Sequence, residues 1–82
     1  MNKVQQALLN TLNLKPNEEF THKDIHIFTK LRFVIYYNQL QLEYYDRANE
    51  DWFEIDDDDY YIVKRIIDFP ENIKKVGDEN DK

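Results

Sequence analysis

The chain has 82 residues and a formal net charge of −6, and hydrophobic residues make up 41% of it. A chain of this length forms one small domain, and this apolar content is enough for a folded core. The absence of cysteine excludes disulfides and thiolate chemistry, while the absence of serine and the single glycine disfavour hydroxyl nucleophiles and glycine-rich phosphate loops. We therefore expect no enzymatic activity and no cofactor.

Residues 2–13 have the apolar spacing of a short helix. Val4, Leu8 and Leu12 recur every fourth position, which places them on one face of a helix. Pro16 disfavours helical geometry at the residue before it, so the helix is predicted to close before that point.

From Glu19 to Asp46 the period of the apolar residues changes to two, which is typical of half-buried strands. The odd-numbered apolar residues at the start of this region are Ile25, Ile27, Leu31, Phe33, Ile35 and Tyr37. The alternation restarts at Leu40, after a plausible turn at Asn38 and Gln39. The pattern predicts a β-hairpin of residues 31–37 and 40–46.

A competing interpretation applies to residues 22–31. The tetrad T-H-K-D at 21–24 resembles a helix N-cap followed by an acidic residue, so these residues could instead form a helix. Together with the first helix it would give a winged helix-turn-helix that binds DNA through Lys23, Lys30 and Arg32.

The remaining elements follow a polar loop at residues 47–51. Residues 52–55 are predicted to form a short strand, and residues 57–68 a second helix with one apolar stripe and a second one beside it. A last edge strand is expected around Ile73 and Val76. The first stripe contains Tyr60, Val63 and Ile67, and the second contains Ile62 and Ile66.

These elements predict an α+β fold. It has an N-terminal helix, an antiparallel β-sheet of three to four strands with a central hairpin, and a second helix packed on one face. Residues 1–76 are expected to form this single domain, followed by a flexible acidic tail at 77–82. No apolar stretch is long enough to span a bilayer, so we expect a cytoplasmic protein that does not associate with membranes.

The negative charge is concentrated in residues 43–59, which contain nine acidic residues and one arginine. A helix start explains two or three of the aspartates at 56–59, because one caps the helix and others interact with its dipole. It does not explain the other carboxylates. We expect the nine to share one rim, with tyrosines among them, that binds a basic partner. The predicted partner-binding residues are Glu43, Tyr44, Tyr45, Asp46, Glu50, Asp51, Glu54, Asp56, Asp57, Asp58, Asp59 and Tyr61.

Two sets of residues could bind a metal ion, but for both sets metal binding is the weaker interpretation. His22, Asp24 and His26 would share one face of a strand and offer ligands to a divalent ion, although two surface histidines near a lysine are the better explanation. Residues 46–58 offer many oxygens, but they lack the glycine of a calcium loop. We expect no resident metal at either place.

Several segments together carry a resemblance. The frame L-K-P-N-E-E-F at 14–20, the tyrosine-rich hairpin ending L-Q-L-E-Y, Trp52, and an acidic helix leading to I-K-K-V at 73–76 resemble small proteins of phages and prophages in low-GC Gram-positive bacteria. Small acidic phage proteins of this type resemble anti-defence inhibitors, among them anti-CRISPR proteins. The resemblance implies occupation of the DNA-binding surface of a nuclease, and it assigns no role to individual residues.

The leading hypothesis is thus a non-enzymatic inhibitor of anti-CRISPR type, a monomer or weak homodimer. Its acidic surface would mimic DNA in the basic groove of a bacterial effector, such as the Cas nuclease Cas9, without binding nucleic acid itself. The alternatives are a small phage structural or regulatory protein that acts by protein–protein assembly, and the winged-helix DNA-binding protein.

Overall fold

The computed structural model describes residues 2–77, which form two α-helices and one five-stranded antiparallel sheet. The strand order is β4-β3-β2-β1-β5. The predicted α+β fold is confirmed, with one strand more than expected, whereas most of the predicted tail lies outside the described residues. The elements are α1 (Lys3–Leu12), β1 (Phe20–His22), β2 (Leu31–Tyr36), β3 (Gln39–Asp46), β4 (Asp51–Glu54), α2 (Tyr61–Asp68) and β5 (Ile73–Lys75), and short 3-10 turns cover Asp57–Asp59 and Pro70–Asn72.

Side-chain and backbone caps set both ends of α1. At its start, the Asn2 side chain accepts a hydrogen bond from the Gln5 amide at 2.8 Å, and the Gln5 side chain accepts one from the Asn2 amide at 3.2 Å. This reciprocal pair is a capping box, which satisfies two amides that lack a partner within the helix. At its end, Asn13 adopts the left-handed conformation with φ of 57°, a conformation that asparagine tolerates better than most residues.

The central hairpin turns one residue earlier than the sequence predicts. β2 and β3 pair from Leu31 with Tyr44 to Tyr36 with Gln39, so the loop consists of Tyr37 and Asn38 alone. Both have positive φ, 50° and 63°, as a type I′ turn requires. The sequence prediction placed the turn at residues 38–39, and tyrosine is not a typical residue for positive φ.

Two substitutions at Asn38 in the turn are expected to change the free energy of unfolding in opposite directions. Asn38→Gly is expected to raise the free energy of unfolding by about 0.5 kcal/mol, because glycine adopts positive φ without steric cost. Asn38→Ala is expected to lower it by about 1 kcal/mol, because alanine lacks the short polar side chain whose local hydrogen bonding lets asparagine tolerate the left-handed conformation. Urea unfolding of the two variants measures both, and a loss of stability in Asn38→Gly would contradict the type I′ assignment.

One hydrophobic core lies between the sheet and the two helices. Side chains from α1, α2 and the inner face of the sheet form a single buried cluster, so both helices cover the same sheet face. Phe20 is the central aromatic residue, stacked on Phe33 with ring centroids 5.8 Å apart. The fully buried side chains are Leu9, Phe20, Leu31, Ile62 and Ile66.

The sheet has one narrow joint. β2 pairs with β3 through six residue pairs, whereas β1 joins β2 through one regular pair, Phe20 with Leu31. A hydrogen bond of 2.7 Å from the Asn17 amide to the Phe33 carbonyl extends this contact. β1 pairs over all three of its residues with β5.

The helix proposed for residues 22–31 does not form. β1 ends at His22, and the segment that follows it runs in turns and bends to β2. Ile25 makes one isolated bridge and is buried, but Ile27 is 64% exposed, so the period-two pattern does not continue as a strand here either. Without this helix the described residues contain no helix-turn-helix, and the winged-helix fold is wrong.

Helix lengths also bear on membrane insertion. α1, the longest helix within residues 2–77, has ten residues, and about twenty apolar residues are needed to cross a bilayer. None of the helices in this part of the chain can span a membrane.

A candidate protein-binding edge

Eight of the nine carboxylates of the acidic window lie in or beside one edge strand of the sheet. β4 is that edge strand and contains Asp51 and Glu54, and the other six lie at the end of β3, in the turn that precedes β4 and in the segment that follows it. Because side chains alternate along a strand, those of Asp51 and Glu54 point to opposite faces of the sheet, so the charges surround the edge on both sides. We call this set the acidic edge: Asp46, Glu50, Asp51, Glu54, Asp56, Asp57, Asp58 and Asp59.

No lysine or arginine of the described chain neutralises the acidic edge. Residues 2–77 contain four ion pairs, and none involves a residue of the edge. The Asp46 carboxylate instead accepts hydrogen bonds from the Ala48 amide at 2.9 Å and the Asn49 side chain at 2.8 Å, which order the turn before β4. The four pairs are Lys30–Glu19, Arg32–Glu43, Lys64–Asp68 and Lys75–Glu18.

The aspartates at 56–59 do not cap a helix by their side chains, contrary to the prediction. They form a 3-10 turn, closed by backbone bonds from the Asp59 amide to the Asp56 carbonyl and from the Tyr60 amide to the Asp57 carbonyl. This turn leads directly into α2, which begins at Tyr61, because Tyr60 between them is also in the right-handed helical conformation. The helix dipole therefore favours these aspartates at its positive end, but it does not account for the carboxylates of β4 and of the turn before it.

Glu43 does not belong to the acidic edge, although the sequence groups it there. Its side chain points to the sheet face that the helices leave uncovered, where Arg32 donates to Glu43 Oε1 at 2.9 Å through two of its nitrogens. The cross-strand neighbour of Glu43 is Glu54. Directly opposed like charges destabilise a sheet, and Arg32 offsets this repulsion by neutralising Glu43.

The predicted tyrosines separate into three environments. Tyr44 faces the helices and stacks on Phe28 at 4.3 Å, which makes it part of the core periphery. Tyr45 lies on the uncovered face against Trp52, with the Lys30 ammonium 4.5 Å above its ring. Tyr61 is 62% exposed beside the four aspartates and is the predicted tyrosine best placed to contact a partner.

A residue outside the predicted set, Tyr60, is 64% exposed and lines an apolar groove next to the acidic edge. The groove has a volume of about 180 Å³ and opens between α1, α2 and the sheet. The sequence does not predict this groove, because it does not show whether α2 buries the stripe of Tyr60, Val63 and Ile67 or the stripe beside it. α2 buries the neighbouring stripe of Ile62 and Ile66 instead, which leaves the first stripe as a groove wall.

His22 is a structural residue. It is 3% exposed, and its Nδ1 accepts a hydrogen bond from the Asp24 amide at 3.1 Å. Nε2 must then carry the proton, and it donates to the Phe69 carbonyl at 3.0 Å. The strand that would have aligned His22 with Asp24 and His26 ends at His22. In residues 2–77 no three histidine or acidic side chains gather as metal ligands.

This geometry predicts different effects for the two histidines. His22→Ala is expected to lower the free energy of unfolding by about 2 kcal/mol, because the Asp24 amide and the Phe69 carbonyl lose their partner. His26→Ala, at an exposed position, is expected to change it by less than about 0.5 kcal/mol. Thermal unfolding of both variants checks this, and equal effects would contradict the structural role of His22.

Comparison of the chain with protein-family models, with curated proteins and with solved structures gave no match.

Proposed function

We propose that the protein is a non-catalytic inhibitor of anti-CRISPR type. In this proposal the acidic edge occupies the basic nucleic-acid-binding groove of a bacterial effector, such as a Cas nuclease, and excludes DNA from it. The single observation that supports it most is the concentration of eight carboxylates in β4 and the segments beside it, without an ion pair to any residue of 2–77.

The arrangement of the charges supports mimicry of a nucleic-acid backbone. The carboxylates of the acidic edge are concentrated in and beside one strand, and a high local density of negative charge is what a basic nucleic-acid-binding groove recognises. They also repel each other and add no side-chain capping bond at α2, so fold stability alone does not explain why all eight are kept together.

Two further features fit a protein partner. Exposed Tyr60 and Tyr61 adjoin the charges, and aromatic side chains of this kind often supply most of the binding energy of an interface. The charges also discourage another strand from pairing with β4. The edge is then open to contact through side chains while it resists edge-to-edge aggregation.

A capture experiment followed by a competition assay tests the proposal. The protein is immobilised, exposed to a Gram-positive lysate, and washed at low and at high salt. A captured effector is then purified and its DNA binding measured by gel shift with and without the inhibitor. We expect release at high salt, because exposed charges are screened beyond about 10 Å at 0.1 M salt, and loss of the DNA complex as the inhibitor is added.

Two results would contradict the proposal. One is a captured partner whose nucleic-acid binding is unaffected by excess inhibitor. The other is capture that withstands high salt unchanged, since an interaction led by exposed carboxylates is sensitive to ionic strength.

One observation favours a second candidate, a small assembly protein. Tyr36, Tyr37 and Val4 are 58%, 85% and 79% exposed. The Gln5 side chain, which donates to the Asn38 carbonyl at 3.4 Å, brings the start of α1 to the hairpin tip that carries the two tyrosines. Self-association through this tip would depend on concentration and hardly on salt, and light scattering at two salt concentrations distinguishes it from the first proposal.

A further inference from the structure

The apolar groove and the acidic edge are parts of one continuous surface. Ile55 and Tyr60 both line the groove, and the four consecutive aspartates connect these two residues along the chain. Glu54 lines the groove as well. Ile55 is fixed by a hydrogen bond of 3.0 Å from its amide to the Leu42 carbonyl, which holds the start of the aspartate turn against the core. A partner that contacts the aspartates therefore also meets the groove.

The walls of the groove are apolar and incompletely covered. Leu8 of α1, Leu40 of β3 and Val63 of α2 are half-buried, and Ile67 is 41% exposed. Core packing thus leaves surplus apolar surface at this place. The polar residues among those that line it are Gln41, Glu54 and Tyr60.

The size of the groove selects the kind of occupant. Its volume of about 180 Å³ is below the roughly 300–1,000 Å³ of typical small-molecule and cofactor sites. It is close to the roughly 150 Å³ of apolar cavities that take a benzene molecule. The groove therefore has room for one large apolar side chain rather than for a cofactor.

We propose that the groove binds a single aromatic or large aliphatic side chain presented by a basic segment of a partner protein. The occupant is argued from charge complementarity: Glu54 lines the groove and the aspartates at 56–59 connect its lining residues Ile55 and Tyr60, so lysine or arginine is favoured beside the inserted side chain. This inference rests on the proposed function and adds to it. The inhibitor would then recognise a DNA-binding groove through a basic segment of the partner that carries one apolar anchor, and not through charge alone.

A double-mutant cycle with synthetic peptides tests the inference. The probe is a fluorescent peptide of lysines and glycines with one central phenylalanine, and its partner peptide has alanine at that position. We expect the phenylalanine peptide to bind about tenfold more tightly, through the apolar area that its ring buries. Ile67→Ser in the protein is expected to remove most of this difference and to leave the alanine peptide unaffected.

Matched variants assign the effect to the groove. Val4→Ser makes a similar change at an exposed position of α1 that is not part of the groove lining, and it should bind both peptides as the unmodified protein does. Equal affinity for the two peptides, or equal losses in Ile67→Ser and Val4→Ser, would overturn the inference.

Failure of the inference and failure of the proposed function give different results. Where only the groove is wrong, both peptides bind equally and both lose affinity when Asp57 and Asp58 are replaced by asparagine. Where the acidic edge itself is not a binding surface, neither peptide responds to that replacement, and both ideas are overturned together.

Discussion

Replacing all four aspartates at 56–59 by asparagine is expected to slow association with the inhibited effector by roughly 10- to 100-fold at low salt. Electrostatic steering raises association rates by about 10–10³-fold, and this variant removes half of the acidic edge. The dissociation rate should change less, because exposed rim charges act mainly on encounter. Stopped-flow or surface-plasmon measurements at several salt concentrations give both rates, and the salt dependence should flatten in the variant.

The control for this experiment removes the same number of charges elsewhere. Glu18→Gln, Glu19→Gln, Asp68→Asn and Glu71→Gln together leave the acidic edge intact, and three of these residues form surface ion pairs that contribute little to stability. If this control slows association as much as the asparagine variant does, net charge explains the binding and the edge does not.

The asparagine variant should also fold normally. None of the four aspartates forms an ion pair or a side-chain cap in the described part of the chain, so the free energy of unfolding should change by less than about 1 kcal/mol. An unchanged unfolding midpoint would show that lost binding is a property of the surface.

The largest loss of stability is expected from Phe20→Ala. Phe20 is fully buried, stacks on Phe33 and lies in the strand that joins the two parts of the sheet. A buried phenylalanine replaced by alanine typically costs about 3–5 kcal/mol. At roughly 0.05–0.15 kcal/mol per residue, the whole domain has about 4–12 kcal/mol, so the variant should be close to unfolding at room temperature.

Phe53→Ala is the matched control. Phe53 is 40% exposed on the edge strand and makes one tilted contact with Tyr44 at 6.1 Å. The same chemical change there should cost only about 1 kcal/mol. Urea unfolding followed by Trp52 fluorescence measures both variants. Similar losses at the two positions would show that Phe20 is not the centre of the core.

The sequence predicts this fold correctly where the pattern of apolar residues is compatible with only one type of secondary structure. The alternation over residues 31–46 requires a hairpin, because only a strand period places Leu31, Phe33 and Leu42 on one buried face. It does not fix the turn, since positive φ at Tyr37 follows from the register of the two strands and not from the preference of tyrosine.

Tertiary packing decides the features that the sequence leaves open. Residues 25–27 alternate like a strand, yet no neighbouring strand is available to pair with them beyond the bridge at Ile25. In α2 both apolar stripes are suited to burial, and the sheet accommodates only that of Ile62 and Ile66. The groove is therefore a consequence of tertiary packing, and local sequence patterns do not predict it.

In the acidic window, too, the sequence predicts some features and tertiary contacts decide others. Most of its acidic residues lie in β4 and in the segments beside it, because these are chain neighbours. Glu43 is the exception, since it lies on β3 and its cross-hairpin partner Arg32 neutralises it.

The narrow joint between β1 and β2 has a consequence for how the domain assembles. β2, β3 and β4 are joined by short turns and form a meander whose contacts are local, whereas β1 meets β5 across about fifty residues of chain. Local contacts close first, so the meander should form early and the β1–β5 ladder should dock last. In native-state hydrogen exchange, the amides of that ladder should then open as one cooperative unit at lower free energy than those of β2 and β3.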